Sequence, residues 1–246
     1  MSSTVTQADL RLTYLRDPFA IESIDQDQVI EELSTGVEED PASRRLGRRL
    51  FTDFHHLVLA SDRYGRSLAV VGARDGSTPR EDFLLLETGF VKPSLRGRGL
   101  MHRMIMLILL RASADGPVPK IIASRTCDGP WFRMLRSLAS RLDGCSFFPQ
   151  LDEPAVNLAT TGLAQRIARQ LGSGLQLQIS SGALRRGCPV FAEAGATRMA
   201  LARDPLIDSL FAQNVALSDD ILAVLDLRAG TEEEVIDRAR TVYRKR

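Results

Sequence analysis

The stretch Phe83 to Ala112, FLLLETGFVKPSLRGRGLMHRMIMLILLRA, leaves the chain few ways to fold around it. Leu84-Leu85-Leu86 is a short apolar run suited to a strand buried on both faces. Pro93 cannot donate to a ladder, so the strand ends or bulges there. Arg96-Gly97-Arg98-Gly99 follows at once, and Leu100 opens a very apolar helix. Two glycines let backbone approach a ligand closely, and the first N–H groups of a helix have no partner inside it. A loop of this kind feeding a helix start suits a phosphate or pyrophosphate. Arg96 and Arg98 add positive charge, and a guanidinium grips phosphate through paired donors.

Two common nucleotide loops do not fit. A dinucleotide fingerprint would need its third glycine where His102 stands. A P-loop would need Gly-Lys-Ser or Gly-Lys-Thr, which the stretch lacks. The plainest alternative is a solvated arginine- and glycine-rich turn.

The stretch resembles the acetyl-CoA site of the GNAT N-acetyltransferase superfamily. Many members carry, after their fourth strand, a proline and then Arg-Gly-x-Gly, Ile or Leu, and Gly or Ala. Here the motif reads Arg96-Gly97-Arg98-Gly99-Leu100-Met101, and Met101 departs from it. The resemblance covers roughly residues 50 to 140, allowing for boundary error. It implies an α/β fold with a mixed sheet, of the acyl-CoA N-acyltransferase kind, with a C-terminal α/β extension. It implies that Gly89, Phe90 and Val91 pair their backbone with the pantetheine arm, and that the amides from Arg96 to Met101 cradle the pyrophosphate. Acetyl-CoA or another acyl-CoA is the implied co-substrate, and an amine of a small molecule the implied acceptor.

Composition narrows the class. A hydrophobic fraction of 44% and a charged fraction of 26% suit a soluble globular protein. A net charge of +1 gives no field directed at nucleic acid or membrane. The longest apolar run, Met104 to Leu110, is too short to span a bilayer. The opening MSSTVTQADLRLTYL has no basic segment followed by an apolar core, so no signal peptide is visible. Cys127, Cys145 and Cys188 form neither a disulfide framework nor a zinc pattern, so a reducing cytoplasm is the expected home. With three histidines and no HExxH, no catalytic metal is expected. A homodimer is left open.

The rest of the chain reads as alternating elements. Leu10 to Leu15 is a first strand and Asp25 to Leu33 a short helix. Asp40 can cap a basic helix through Leu50, carrying Arg44, Arg45, Arg48 and Arg49. Phe54 to Ala60 and Ser67 to Ala73 flank a turn and predict a hairpin. His55 and His56 face opposite ways on its first strand. Lys120 to Ser124 is a second buried strand, and Trp131 to Leu142 a helix. Further on, Leu158 to Leu171 and Pro205 to Gln213 read as helices, Leu175 to Ile179 and Ile221 to Leu227 as strands. Thr231 and Glu234 form a capping box for a last helix. The expected division is a core over residues 10–150 and an extension over 151–246 packed on it. Phe147-Phe148 and Ile221 to Leu227 are expected to complete the core sheet.

Acylating an amine requires a proton acceptor, stabilisation of the carbonyl oxygen and a route for the thiolate to leave. Backbone N–H groups near Phe90 and Val91 are the expected oxyanion donors. Glu87 shares a strand face with Gly89 and Val91, and relatives place a glutamate base comparably. Its plainer role is a strand-end glutamate paired with an arginine. Many relatives carry a tyrosine acid in the helix after the fifth strand, where this chain has Leu135. Cys127 or Ser124 could stand in, although a buried cysteine is more often an inert small hydrophobe. Three functions follow: an acyl-CoA-dependent N-acyltransferase, a non-catalytic acyl-CoA-binding or scaffold protein, and a transferase for longer acyl thioesters.

Overall fold

The computed structural model describes residues 10–18, 23–35, 54–151, 157–185, 202–214 and 219–244. The expected basic helix from Asp40 to Leu50, and Cys188, lie outside these residues. The chain forms two compact units interleaved in sequence. One holds Met1–Arg74, Leu86–Val118 and Ile236–Arg246, the other Asp75–Leu85 and Pro119–Val235. Both mix strands and helices, so the fold is α/β.

β1 (Arg11–Arg16), β2 (His56–Ser61), β3 (Ser67–Ser77) and β4 (Asp82–Val91) follow one another in the sheet, and the first unit holds β1, β2, β3 up to Arg74 and β4 from Leu86. β1 lies antiparallel to β2, with Arg16 opposite His56 and Arg11 opposite Ser61. β2 lies antiparallel to β3, with His56 opposite Ala73, and a bulge shifts the register between Ala60 and Ser61. Alternation sorts the side chains by face. Leu57, Leu59, Val70 and Phe90 join Phe54 and Leu33 of α1 (Ser23–Ser34) in one cluster. Against β1 and β2 packs α2 (Leu100–Asp115). Its buried residues run from Leu100 through Leu109 with few gaps, as an all-round apolar sequence requires.

The second unit is organised by β9 (Asp220–Asp226), every residue of which is buried. One edge of β9 bonds antiparallel to β5 (Ile121–Thr126), from Ile121 opposite Asp226 to Thr126 opposite Ile221. Its other edge is shared. β8 (Ala183–Arg185) takes Asp220 and Ile221, and β6 (Ser146–Phe148) takes Val224 to Asp226. β7 (Gln176–Gln178) pairs with β8 at the rim. Phe147-Phe148 and Ile221 to Leu227, both expected in the sheet, are hydrogen-bonded neighbours in it. One long strand seals two short ones whose edges would otherwise be open.

Helices cover this sheet. α4 (Leu158–Leu171) lays Leu163, Ala164, Ile167 and Ala168 on Val224, Leu222, Phe148 and Ile121. α3 (Gly129–Ala139) meets α5 (Pro205–Asn214), and the Phe132 ring stands edge-on to Phe147 and Phe211, with centroids 5.5 and 5.8 Å away. Burial of several such side chains, each worth about 1.5–3 kcal/mol, dominates the stability of this unit. α6 (Glu232–Arg244) begins with the capping box. Glu234 accepts from the Thr231 N–H at 2.8 Å, and Thr231 Oγ1 accepts from the Glu234 N–H at 3.2 Å.

A polar network absent from the sequence reading locks the second unit. Glu81 accepts from Arg166 at 2.6 and 3.1 Å and from Arg228 at 2.8 Å. Arg228 in turn clamps Asp226 through Nε and Nη2, at 2.9 and 2.7 Å. Burial tends to raise the Glu81 carboxyl. Hydrogen bonds from Arg166 and Thr78, with the charges of Arg166 and Arg228, outweigh it and hold Glu81 below its ordinary value.

Candidate active site

The predicted site begins where β4 runs out. The Lys92 N–H bonds the Leu68 carbonyl at 3.0 Å, and Pro93, lacking an N–H, opens a single 3-10 turn over Pro93–Leu95. Leu95, 3% exposed, anchors that turn in the core. Arg96 then folds back. Its Nε donates to the Val91 carbonyl at 2.8 Å, and its guanidinium lies 5.8 Å from the centre of the Phe90 ring. The arginine thus pins the loop to the strand it leaves.

Gly97 and Gly99 take φ of +77° and +73°. A side chain at either position would be strained, because its Cβ would crowd the backbone. A Cβ built on either meets nothing within 4 Å, so the space in front of the backbone is open. Gly99 is also the N-cap of α2, with no side-chain cap and no acidic residue in the first turn. The first closed helical bond runs from the Arg103 N–H to the Gly99 carbonyl, at 3.2 Å. The donors ahead of it have no carbonyl inside the helix to bond. They add to the positive end of the helix dipole, with Arg96 and Arg98 exposed beside them. Leu100 and Met101 are 2% and 8% exposed, so the residue that departs from the family motif belongs to the buried core.

Along β4, Phe90 is 2% exposed and belongs to the core, while Glu87, Gly89 and Val91 are half-buried. Glu87 is not alone on its strand. Arg74 of β3 forms a short ion pair with its carboxylate, of which the side chain is 17% exposed. No spacing signal points to this partner, because it lies across a hairpin whose register a sequence does not give.

Ser124 and Cys127 belong to the second unit. Ser124, fully buried on β5, accepts from the Trp131 indole N–H at 2.9 Å. Cys127 is 5% exposed just past the end of β5, and neither it nor Cys145 is in a disulfide. Leu135, where the resemblance would look for a tyrosine, is fully buried. The Asp128 N–H bonds Thr126 Oγ1 at 2.9 Å, and Pro130 fills the first turn of α3. Glu87 and the glycine loop belong to the first unit.

The histidine pair splits, but not by strand alternation: His55 stands just before β2 and His56 is its first residue. His55 is exposed, and His56 is fully buried. Tyr14 Oη lies 2.8 Å from His56 Nδ1, and Arg16 donates to Nε2 at 3.0 Å. The same Arg16 nitrogen lies 3.2 Å from Nδ1, so the ring of His56 ties the β1 side chains Tyr14 and Arg16 to β2.

No family model matches the sequence, and no curated protein matches it. Solved structures do. In fold, the chain is similar to GNAT acetyltransferases. AtaTR bound with AcCoA is 16% identical with a TM-score of 0.43, over 60% of this chain and 89% of that one. The diaminobutyrate acetyltransferase EctA of Paenibacillus lautus, in complex with L-2,4-diaminobutyric acid and coenzyme A, is 17% identical. Its TM-score is 0.40, over 56% of this chain and 80% of that one. A GNAT family N-acetyltransferase of Escherichia coli in complex with CoA is 17% identical with a TM-score of 0.37, over 52% of this chain and 70% of that one. No helix among the described residues is long and apolar enough to cross a membrane.

Proposed function

We propose that the chain is an acyl-CoA-dependent N-acyltransferase that moves an acyl group, acetyl in the first instance, to an amine of a small molecule. The observation that supports this most is the open, uncapped start of α2. Gly97 and Gly99 hold φ values that side chains avoid, nothing fills the space before them, and two exposed arginines flank it. A backbone arranged this way suits a multiply charged phosphate ester better than a solvent turn, which needs neither an open cradle nor a bare helix end.

In this reading the amides from Gly97 to Met101 hold the pyrophosphate, and Arg96 and Arg98 neutralise it. The backbone of Gly89 to Val91 aligns the pantetheine arm and supplies the oxyanion donors. The amine nitrogen attacks the thioester carbonyl carbon, forming a C–N bond. The C–S bond then breaks, and the nitrogen's proton passes to Glu87, directly or through water. Arg74 fixes the Glu87 carboxylate for that transfer. The thiolate leaves and takes a proton from solvent.

A second reading, an acyl-CoA-binding protein without turnover, is favoured by the proton-donor candidates. Leu135 replaces the tyrosine, Ser124 is buried under the Trp131 N–H, and Cys127 is 5% exposed. A third reading, transfer of longer acyl groups, differs only in what the apolar α2 would line.

One experiment separates them: thermal stabilisation by acetyl-CoA, followed by thiol release across a panel of amines and acyl lengths. Stabilisation with release supports the transferase, and stabilisation without release supports the binder. No stabilisation by any acyl-CoA contradicts all three. Glu87→Gln is expected to lower kcat by about 10-fold or more and to leave the KM for acetyl-CoA little changed. An unaltered kcat would remove Glu87 as the base.

A further inference from the structure

The turn between β2 and β3, Asp62-Arg63-Tyr64-Gly65-Arg66, is more elaborate than a connection between two strands needs. Asp62, 4% exposed, builds it from inside. Its Oδ1 accepts from the N–H groups of Tyr64 and Arg66 at 2.9 and 3.0 Å, and its Oδ2 from Arg66 Nε at 2.8 Å. Gly65 takes φ of +84°, and the Asp62 N–H closes on the Arg66 carbonyl at 3.0 Å. Burial tends to raise the Asp62 carboxyl, but Arg66 and these amides hold it below its ordinary value. The turn's negative charge is therefore spent inward.

Its aromatic ring and both of its arginines are exposed, Arg66 while still paired to Asp62. Tyr64 is 66% exposed, which is costly for an aromatic ring with no partner. Arg63 sets its guanidinium 4.8 Å from the ring centre and donates to the Tyr64 hydroxyl at 2.7 Å. Arg66 lies 5.6 Å from the same centre. Both guanidiniums lie over the ring, so the turn presents an exposed aromatic side chain with two positive charges against it.

The turn stands beside the glycine loop. Leu68, just past the turn, bonds Lys92, the residue before Pro93. Burial, and then the neighbouring charge of Arg66, push the Lys92 ammonium below its ordinary value against the pull of Glu32 and Asp62. The Arg66 and Lys92 charges therefore sense one another. Arg66 and Lys92 thus meet at this end of the first unit, opposed by Asp62 and Glu32, and Lys92 leads through Pro93 into the loop that carries Arg96 and Arg98.

We propose that the Asp62–Arg66 turn binds the 3′-phosphoadenosine end of CoA, with Tyr64 stacked on the adenine and Arg63 and Arg66 on the 3′-phosphate. This rests on the reading of the glycine loop as the pyrophosphate site, and it adds a specificity that reading does not require. A purine stacks on an aromatic face whatever its substituents. A phosphate monoester, carrying more charge than a bridging diester, is the group that a guanidinium fork selects.

The test is calorimetric titration of the full chain with CoA and with 3′-dephospho-CoA. The wild type is expected to bind CoA about tenfold or more tightly than the dephospho form. Arg63→Gln, which leaves the Asp62 cage intact, is expected to remove most of that preference. Tyr64→Ala is expected to weaken both ligands by a similar factor and to leave the preference standing. Equal affinity of the wild type for the two ligands overturns the inference while leaving the glycine loop's assignment intact. A preference that survives Arg63→Gln unchanged overturns it as well. Failure of the wild type to bind either ligand overturns this inference and the functional reading together.

Discussion

Four helix starts in this molecule can be set side by side, and they are built on opposite plans. At α4, Asn157 Oδ1 accepts from the N–H groups of Ala159 and Thr160 at 3.1 and 3.2 Å. At α5, Asp204 Oδ1 accepts from Leu206 and Ile207 at 3.1 and 3.4 Å. At α6, Thr231 and Glu234 satisfy each other's amides. Each of these starts turns a short polar side chain onto its own orphaned donors. At α2 the N-cap is Gly99, left-handed and without a side chain to offer. That arrangement forgoes a cap worth about 1 kcal/mol and adds the backbone cost of two glycines. α3 also starts without a side-chain cap, but there Pro130 removes a donor from the first turn, whereas α2 keeps its donors behind two glycines and two arginines. The three capped starts serve stability, and the start of α2 is the one proposed to meet a ligand.

The contrast breaks most visibly at Gly99. Gly99→Val is expected to lower CoA affinity by about 100-fold or more, since the variant both strains φ and fills the open cradle. Calorimetry checks this, with a melting curve to show that the fold persists. An affinity within a few-fold of wild type would place the ligand elsewhere.

Next comes a polar cluster assigned to stability alone. Glu81→Gln leaves Arg166 and Arg228 without their shared carboxylate, and is expected to cost on the order of 2 kcal/mol in chemical denaturation. CoA affinity should not move. Because Glu81 is held below its ordinary value when folded, its contribution is present above the unfolded carboxyl's pKa. It is lost as pH falls through the lower folded one. The wild type should therefore lose stability more steeply in acid than Glu81→Gln, and parallel curves would refute the linkage.

Arg98→Ala is expected to weaken CoA about tenfold, roughly one charge-assisted phosphate contact, with unchanged stability. Arg96→Ala should do as much and also loosen the loop, because it removes the bond to the Val91 carbonyl. The smallest effect sharpens the other side of the comparison. Asn157→Ala is expected to lower stability by about 1 kcal/mol and to leave CoA binding untouched. A change in CoA affinity in that variant would blur the line between the two kinds of helix start.

Much of this frame is visible in the sequence because it is local. The helix predicted from Leu158 to Leu171 has those bounds, with Gly172 ending it. The Thr231–Glu234 box forms as its spacing implies, and the β2–β3 hairpin closes on the expected turn. β4 and α2 follow from an apolar run, a proline and two glycines. What stays hidden is long-range. β8 is three residues that exist as a strand only because β9 offers an edge. Glu81 meets Arg166 and Arg228 across 85 and 147 positions of sequence, and no periodicity encodes that. Arg74 is invisible as a partner of Glu87 for the same reason. The helix read as Trp131 to Leu142 runs over Gly129–Ala139, since Pro130 is tolerated in a first turn that lacks internal acceptors for its N–H. The glycine loop was legible as a candidate, but its openness was not, because empty space in front of a backbone has no letter.

Amide chemical shifts of the full chain during titration with CoA test the central claim most directly. The amides of Gly97, Gly99, Leu100 and Met101 should shift together and saturate on one isotherm, while those of Ala159 and Thr160, already bonded to Asn157, stay in place. Saturable binding that leaves the Gly97 to Met101 amides unmoved would contradict the account.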